Sequence, residues 1–204
     1  MWLSAFADET KESGFYRTTL NARRAPEKVV MEAVRYNTPI KAEKADVYLL
    51  TKSTFTTFPN LLVGPSIAQA TTKISNANAF QSEYNWGTAE LVHWTSMDGM
   101  PRQGILFKPE NFDPKKKYPM VTYFYEDLSD GLHAYVAPNG GTSVNITQYV
   151  SNGYLMFEPD IQYETGHPGQ SAVKAIVPGV QKIVDMGFVD PKKLGLQGHS
   201  WGGY

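Results

Sequence analysis

The second half of the chain alternates short apolar runs with stretches of helical periodicity. Residues 120–125 and 154–157 are nearly continuous apolar runs, typical of strands that are buried on both faces. Residues 146–150 and 173–184 repeat apolar side chains at helical spacing, and residues 194–197 form a third strand-like run. Strand, helix, strand, helix, strand is the order of a parallel sheet with helices on its faces, so we predict an α/β fold here.

Two further features of this half affect the predicted sheet. Residues 90–95 and 103–108 have the pattern of paired strands, and the Asp98-Gly99 pair between them is a strong hairpin-turn signal. We therefore expect an antiparallel hairpin at one edge of the sheet. Pro178 falls inside the longer helical pattern, where its missing N–H and its ring predict a kink or a break.

The first part of the chain has a different pattern. Residues 14–20, 47–51 and 61–63 are short β-like runs, separated by polar or proline-containing pieces. Evenly spaced short strands are typical of an all-β element such as part of a sandwich or a propeller blade. Residues 74–85 are polar and rich in asparagine and serine, which indicates a connection between two domains.

Charge and composition limit the classes of function. Lysine and arginine number 19 and aspartate and glutamate 20, so the net charge of −1 argues against binding nucleic acid or an anionic membrane through bulk charge. No apolar run approaches the ~18 residues that span a bilayer, and residues 1–13 lack the pattern of a secretory signal. The absence of cysteine excludes disulfides, thiolate metal sites and a cysteine nucleophile. Compartment and oligomeric state stay open, since many exported proteins lack disulfides.

The third strand-like run continues directly into Gly198-His199-Ser200-Trp201-Gly202-Gly203. This matches the G-x-S-x-G nucleophile elbow, in which a serine on a sharp strand-to-helix turn carries its Oγ at the tip. Side chains two positions either side of Ser200 would collide across such a turn, and glycine at both positions avoids the collision. We therefore predict that Ser200 is the nucleophile of a serine hydrolase; the alternative is a glycine-rich turn without chemistry.

A serine hydroxyl needs a base, and in α/β-hydrolases the acid and the histidine follow the serine in the chain. The histidines precede or adjoin Ser200: His93, His133, His167 and His199. An immediate neighbour of the serine points away from its Oγ across the turn, and none of the four has a partner at metal-ligand spacing. We therefore expect an internal fragment that carries the nucleophile without the acid and the histidine, and that is inactive alone.

Several motifs match one known family: residues 86–92, 97–99, 104–109, 117–119, 153–157, 189–196 and 198–204. From about residue 55 to 204 the chain resembles the prolyl oligopeptidase family of serine peptidases, which includes dipeptidyl peptidase IV and acylaminoacyl peptidases. In that family a β-propeller precedes or interrupts an α/β-hydrolase domain. The resemblance thus implies the end of a β-propeller-like domain over residues 1–75, a connection over 76–88, and a truncated α/β-hydrolase sheet over 89–204.

The resemblance also assigns roles to three residues. It implies that Ser200 is the nucleophile, that the backbone N–H of Trp201 is one oxyanion donor, and that the Tyr125 hydroxyl is the other. A phenol suits this role because it donates a proton without carrying charge, although Tyr125 could instead only close its strand. The chain departs from the family after Asp160, because residues 161–166 lack the Arg-Gly-Ser stretch that many members have.

The function that follows is a serine-type peptidase that hydrolyses peptide bonds through a Ser200 acyl-enzyme. It needs a peptide substrate and no metal, cofactor, nucleic acid or membrane partner. Two alternatives remain open, an esterase or lipase on the same fold and an inactive truncated product. The acidic pair that binds a substrate amino terminus in dipeptidyl peptidases would lie upstream, so exo- or endopeptidase specificity is not assigned.

Overall fold

The computed structural model describes residues 1–21, 23–138, 140–141 and 143–204. These residues form two compact units, which comprise residues 1–81 with 133–135 and residues 82–132 with 136–204. Across the described ranges, no helix has both the length and the apolar character needed to cross a membrane.

The first unit is built from short antiparallel strands. They are β1 (Trp2–Phe6), β2 (Ser13–Arg17), β3 (Glu27–Glu32), β4 (Arg35–Tyr36), β5 (Ile40–Lys41), β6 (Tyr48–Ser53), β7 (Leu61–Gly64) and β8 (Thr72–Lys73). One sheet has the order β1-β2-β3, and a second has the order β4-β6-β7-β8, with β5 also paired to β6. The buried side chains Phe15, Leu50, Leu62, Ile67 and Ala70 form its core.

The second unit contains both strands and helices. They are β9 (Thr88–Thr95), β10 (Pro101–Lys108), β11 (Tyr118–Phe124), α1 (Ile146–Ser151), β12 (Leu155–Pro159), α2 (Pro168–Asp185) and β13 (Val189–Gly198). Short 3-10 helices span Ser129–Gly131 and Ser200–Gly203, and another, Ala79–Glu83, begins in the last residues of the first unit. The predicted helix over residues 146–150 is present as α1, and Gly153 follows it with a φ of 82°.

The sheet of the second unit has the strand order β13-β11-β12-β10-β9. β11 pairs in parallel with β12 and with β13, whereas β10 pairs antiparallel with β9 and β12. The apolar run predicted as a buried strand becomes β12, in which Leu155, Met156 and Phe157 are fully buried. The α/β class predicted from the sequence is confirmed as a mixed, sheet-rich α/β fold.

The helix α2 runs through Pro178, so of the two predicted outcomes, a kink or a break, the break is absent. Proline leaves the carbonyl four residues earlier without its helical N–H donor. That carbonyl belongs to Lys174, and it accepts a hydrogen bond from the Met97 backbone N–H at 3.0 Å. Trp94 Nε1 also donates to the Ala175 carbonyl at 2.9 Å. The β9–β10 hairpin therefore supplies the donor that proline removes, which sequence periodicity does not reveal.

Candidate active site

Ser200 occupies a tight turn that directly follows β13. Its φ of 52° lies in the left-handed region, which non-glycine residues adopt only when the surrounding structure requires it. The residue begins the Ser200–Gly203 3-10 helix and is exposed to solvent. The Gly202 N–H donates to the His199 carbonyl at 2.9 Å and closes the turn. We refer to residues 198–203 as the Ser200 turn.

Two glycines make this turn sterically feasible. A Cβ atom on Gly198 would lie 1.9 Å from the Gly202 carbonyl oxygen, across the turn. A Cβ atom on Gly202 would lie 2.1 Å from the carbonyl oxygen of Phe124, the last residue of β11. The first glycine therefore allows the turn to close, and the second allows it to pack against the end of the neighbouring strand.

Tyr125 lies at the same edge of the sheet as the Ser200 turn. Phe124 and Gly198 are register partners where β11 and β13 end in parallel, so the residues that follow them emerge side by side. A Cβ on Gly202 would be 3.6 Å from the Tyr125 Cα. Tyr125 itself is half-buried. The fold thus brings the backbone of Tyr125 against the Ser200 turn, although 74 intervening residues separate the two positions.

Tyr163 contacts both Tyr125 and Trp201, and no motif in the sequence indicates these contacts. Its hydroxyl donates to the Tyr125 carbonyl at 2.6 Å. Its ring meets the Trp201 indole edge-on, with centroids 5.5 Å apart and planes at 73°. Trp201 is 38% exposed and also stacks on Tyr204. Burial raises the pKa of the Tyr163 phenol, and the nearby Glu126 raises it further, so the phenol stays protonated at neutral pH.

Asp160 organises the loop that follows Tyr125. Its buried carboxylate accepts hydrogen bonds from the Leu128 N–H at 2.7 Å, the Ser129 N–H at 2.8 Å and the Ser129 hydroxyl. The Ile161 N–H donates to the Glu126 carbonyl at 3.1 Å. The only sequence signal for this arrangement is the position of Asp160 directly after a buried strand, where polar residues of parallel sheets collect.

Glu158, on β12, is a second buried carboxyl group, two residues before Asp160. Its side chain is 8% exposed, and burial raises its pKa to about 8, with a further contribution from the charge of Asp160. The group is therefore largely protonated at neutral pH. The alternation of side chains along β12 places it on the opposite face from Phe157, which packs against Trp94.

The histidines are spread over both units. His93 is exposed on β9, His133 belongs to the first unit with Nε2 3.2 Å from the Thr10 carbonyl oxygen, and His167 precedes α2. His199 is extended and exposed, immediately before Ser200. Among the residues that the structure describes, no three side chains of histidine, aspartate or glutamate gather in a cluster that could hold a metal ion.

Sequence comparison relates the chain to peptidases. Over 133 residues it is 28% identical to dipeptidyl peptidase 8 from Mus musculus and to the same protein from Homo sapiens. The match covers 56% of this chain and 14% of each relative. No profile of a known protein family matches the chain.

Structural comparison finds the same fold in solved peptidases. AtxE2 isopeptidase, in a variant with astexin3-dC4 bound, matches 98% of this chain and 32% of its own length, with a TM-score of 0.72 and 12% identity. Dipeptidyl peptidase 4 from Porphyromonas gingivalis matches 100% of this chain and 30% of its own length, with a TM-score of 0.66 and 16% identity. The chain resembles the prolyl oligopeptidase family of peptidases. It spans about a third of the length of these two solved peptidases and a seventh of dipeptidyl peptidase 8.

Proposed function

We propose that the protein is a serine peptidase in which Ser200 forms an acyl-enzyme with the carbonyl carbon of a peptide bond. The observation that carries the proposal is the left-handed backbone of Ser200 at an exposed turn, directly after β13, which pairs in parallel with β11. A non-glycine residue in this conformation costs about 1–3 kcal/mol, and such strain concentrates at functional sites. Similarity to the prolyl oligopeptidase family supports the same chemistry.

The proposed reaction has two steps. The Ser200 Oγ bonds to the scissile carbonyl carbon, a base takes the hydroxyl proton, and the C–N bond then breaks with the amine leaving in protonated form. Water next attacks the ester, which releases the carboxyl product and regenerates the serine. In both steps the Trp201 N–H and the Tyr125 hydroxyl donate to the carbonyl oxygen as it acquires negative charge.

We propose that the base and its orienting acid come from parts of the protein beyond these 204 residues. None of the four histidines is assigned the role. His199 adjoins the serine in an extended, exposed position, and His133 contacts a backbone carbonyl of the first unit. In α/β-hydrolases the acid and then the histidine follow the serine in the chain. The limited coverage of the longer relatives agrees with this assignment.

We further propose that the antiparallel sheets of the first unit are the end of a β-propeller-like domain. The second unit would then be the beginning of an α/β-hydrolase domain. The order β4-β6-β7-β8, in which β5 also pairs with β6 and all neighbours are antiparallel, supports this proposal because a propeller blade is a small antiparallel sheet. A peptide substrate is favoured because the structural relatives include a peptidase solved with astexin3-dC4 bound.

Replacement of the serine in the full-length protein tests the proposal. Ser200→Ala should lower peptide turnover by about 10⁴-fold or more and abolish covalent labelling by a fluorophosphonate probe. Ser143→Ala, which changes another exposed serine of the same unit, is the matched control and should behave as wild type. Persistent labelling of the Ser200→Ala variant would refute the assignment. Turnover of esters without turnover of peptides would refute the peptidase class.

A further inference from the structure

Tyr163 links the two residues that are proposed to stabilise the oxyanion. Its hydroxyl donates to the backbone carbonyl of Tyr125, and its ring packs edge-on against the Trp201 indole. Tyr125 and Trp201 lie on different segments of the chain, one after β11 and one after β13. Tyr163 itself comes from a third segment, between β12 and α2. One side chain therefore contacts both proposed donors.

The segment that carries Tyr163 is held at both of its ends. At the first end, the Asp160 N–H donates to the Gln103 carbonyl at 2.9 Å, and Ile161 is buried in a cluster with Ala175 and Ile176. At the other end, the Glu164 N–H donates to Ser171 Oγ at 3.0 Å in the first turn of α2. Tyr163 also packs against that buried cluster. Its hydroxyl and ring are therefore fixed relative to the sheet.

These contacts have a consequence for catalysis. A hydrogen bond to the Tyr125 carbonyl fixes the peptide plane that follows Tyr125, and with it the direction in which the phenol leaves the backbone. The ring contact restrains Trp201, and the backbone N–H of Trp201 is the second proposed donor. Oxyanion stabilisation depends on donors that are already in place before charge develops, because their reorganisation during the reaction raises the barrier.

We propose that Tyr163 is a positioning residue that holds the Tyr125 hydroxyl and the Trp201 N–H in the geometry of an oxyanion hole. The inference rests on the proposed serine peptidase function. Tyr163 touches neither the substrate nor the reacting atoms in this assignment, and it acts through the two donors. A phenol is protonated at neutral pH, and burial raises the pKa of Tyr163 further above that range.

Substitutions at position 163 of the full-length protein separate the contribution of the hydroxyl from that of the ring. Tyr163→Phe removes the hydrogen bond to Tyr125 and keeps the ring, and it should lower kcat about 10-fold with KM unchanged. Tyr163→Leu removes both contacts and should lower kcat about 100-fold. Affinity for a peptide boronic acid, which forms a tetrahedral adduct with the serine, should fall by the same factors as kcat. Tyr149→Phe, on α1, is the matched control and should leave kcat unchanged.

A double substitution tests whether Tyr163 acts through Tyr125. If it does, Tyr163→Phe should have little further effect once Tyr125→Phe has removed the donor, so the two effects on kcat should not multiply. The inference is overturned if Tyr163→Phe leaves kcat unchanged, or if the two effects multiply. It is also overturned if kcat, KM and the unfolding midpoint all change together. Retained turnover in Ser200→Ala would instead overturn the proposed function, which distinguishes the two failures.

Discussion

The proposed role of Tyr125 depends on a single oxygen atom, its phenolic hydroxyl. Tyr125→Phe keeps the ring that closes β11 and removes this donor, so kcat should fall about 10²–10³-fold while the free energy of unfolding changes little. Turnover of a peptide substrate and thermal unfolding of the same preparation measure the two effects. Tyr154→Phe, whose ring packs on Tyr149 at the surface, serves as the control. A near-unchanged kcat would show that Tyr125 only packs.

At the scale of single residues, the sequence predicts a functional role for Ser200 but contains no signal for Tyr163. Gly198 and Gly202 flank the serine at equal spacing, and this pattern can be read from the sequence. Its cause is also local, because a side chain at position 198 would collide with residue 202 across the turn. The hydrogen bond from Tyr163 to Tyr125 joins residues 38 positions apart, and it exists because β12 lies beside β11 in the sheet. No pattern in residues 160–164 indicates that Tyr163 lies next to Tyr125.

At the scale of elements, the contact between the Ser200 turn and β11 depends on Gly202. In Gly202→Ala the added methyl would meet the Phe124 carbonyl oxygen, so the turn or the strand end must move. We expect a loss of about 2–4 kcal/mol in the free energy of unfolding, together with a large loss of kcat. Denaturant unfolding and peptide turnover measure these two losses.

The control for this change is Gly169→Ala, in the first turn of α2. A Cβ there meets nothing within 4 Å, and alanine favours a helix, so stability should stay within about 1 kcal/mol of wild type. If Gly202→Ala were as stable and as active as Gly169→Ala, the close packing of the Ser200 turn on β11 would be wrong.

The buried carboxyl group of Glu158 on β12 makes stability depend on pH. Its folded-state pKa of about 8 lies above the ordinary glutamate value of 4.5, so the folded state binds the proton more tightly than the unfolded state. The associated stabilisation is complete below about pH 4.5 and is lost as the pH rises towards 8. On the order of 3 kcal/mol should disappear across this window.

The substitution Glu158→Gln tests this pH dependence, because glutamine does not titrate. Urea unfolding at pH 5 and at pH 8 should show a smaller difference in the variant than in the wild-type protein. Parallel behaviour of the two proteins across this window would mean that Glu158 ionises at a normal pH and that burial does not shift its pKa.

The strands and helices could be predicted wherever a local run of apolar residues or a turn signal determines them. The hairpin around Gly99, the strands β11 and β12 and the helix α1 all follow from apolar runs and turn residues. The continuity of α2 through Pro178 was not predictable, because it depends on the Met97 N–H from the β9–β10 turn. The rule that proline kinks or breaks a helix considers the helix alone, whereas here the tertiary fold supplies the missing N–H donor.

For the whole molecule, the division into two compact units shows a further limit of sequence reasoning. Residues 133–135 group with the first unit, although they follow β11 in the chain. Within that unit the Tyr135 hydroxyl accepts a hydrogen bond from Asn78 Nδ2 at 2.6 Å, and its ring meets Phe58 edge-on. The change in composition along the chain predicts a connection over residues 76–88, but it cannot assign a distant loop to the first unit.

The proposed activity of the whole protein depends on a covalent bond at one atom, the Ser200 Oγ. The most direct measurement is to acid-quench the full-length protein during turnover of an activated acyl-peptide ester and to map the adduct by tandem mass spectrometry. A Ser200 acyl-enzyme should place the acyl mass on the proteolytic fragment that contains Ser200, and no such mass should appear in Ser200→Ala. An acyl group on another residue, or unchanged turnover in Ser200→Ala, would contradict it.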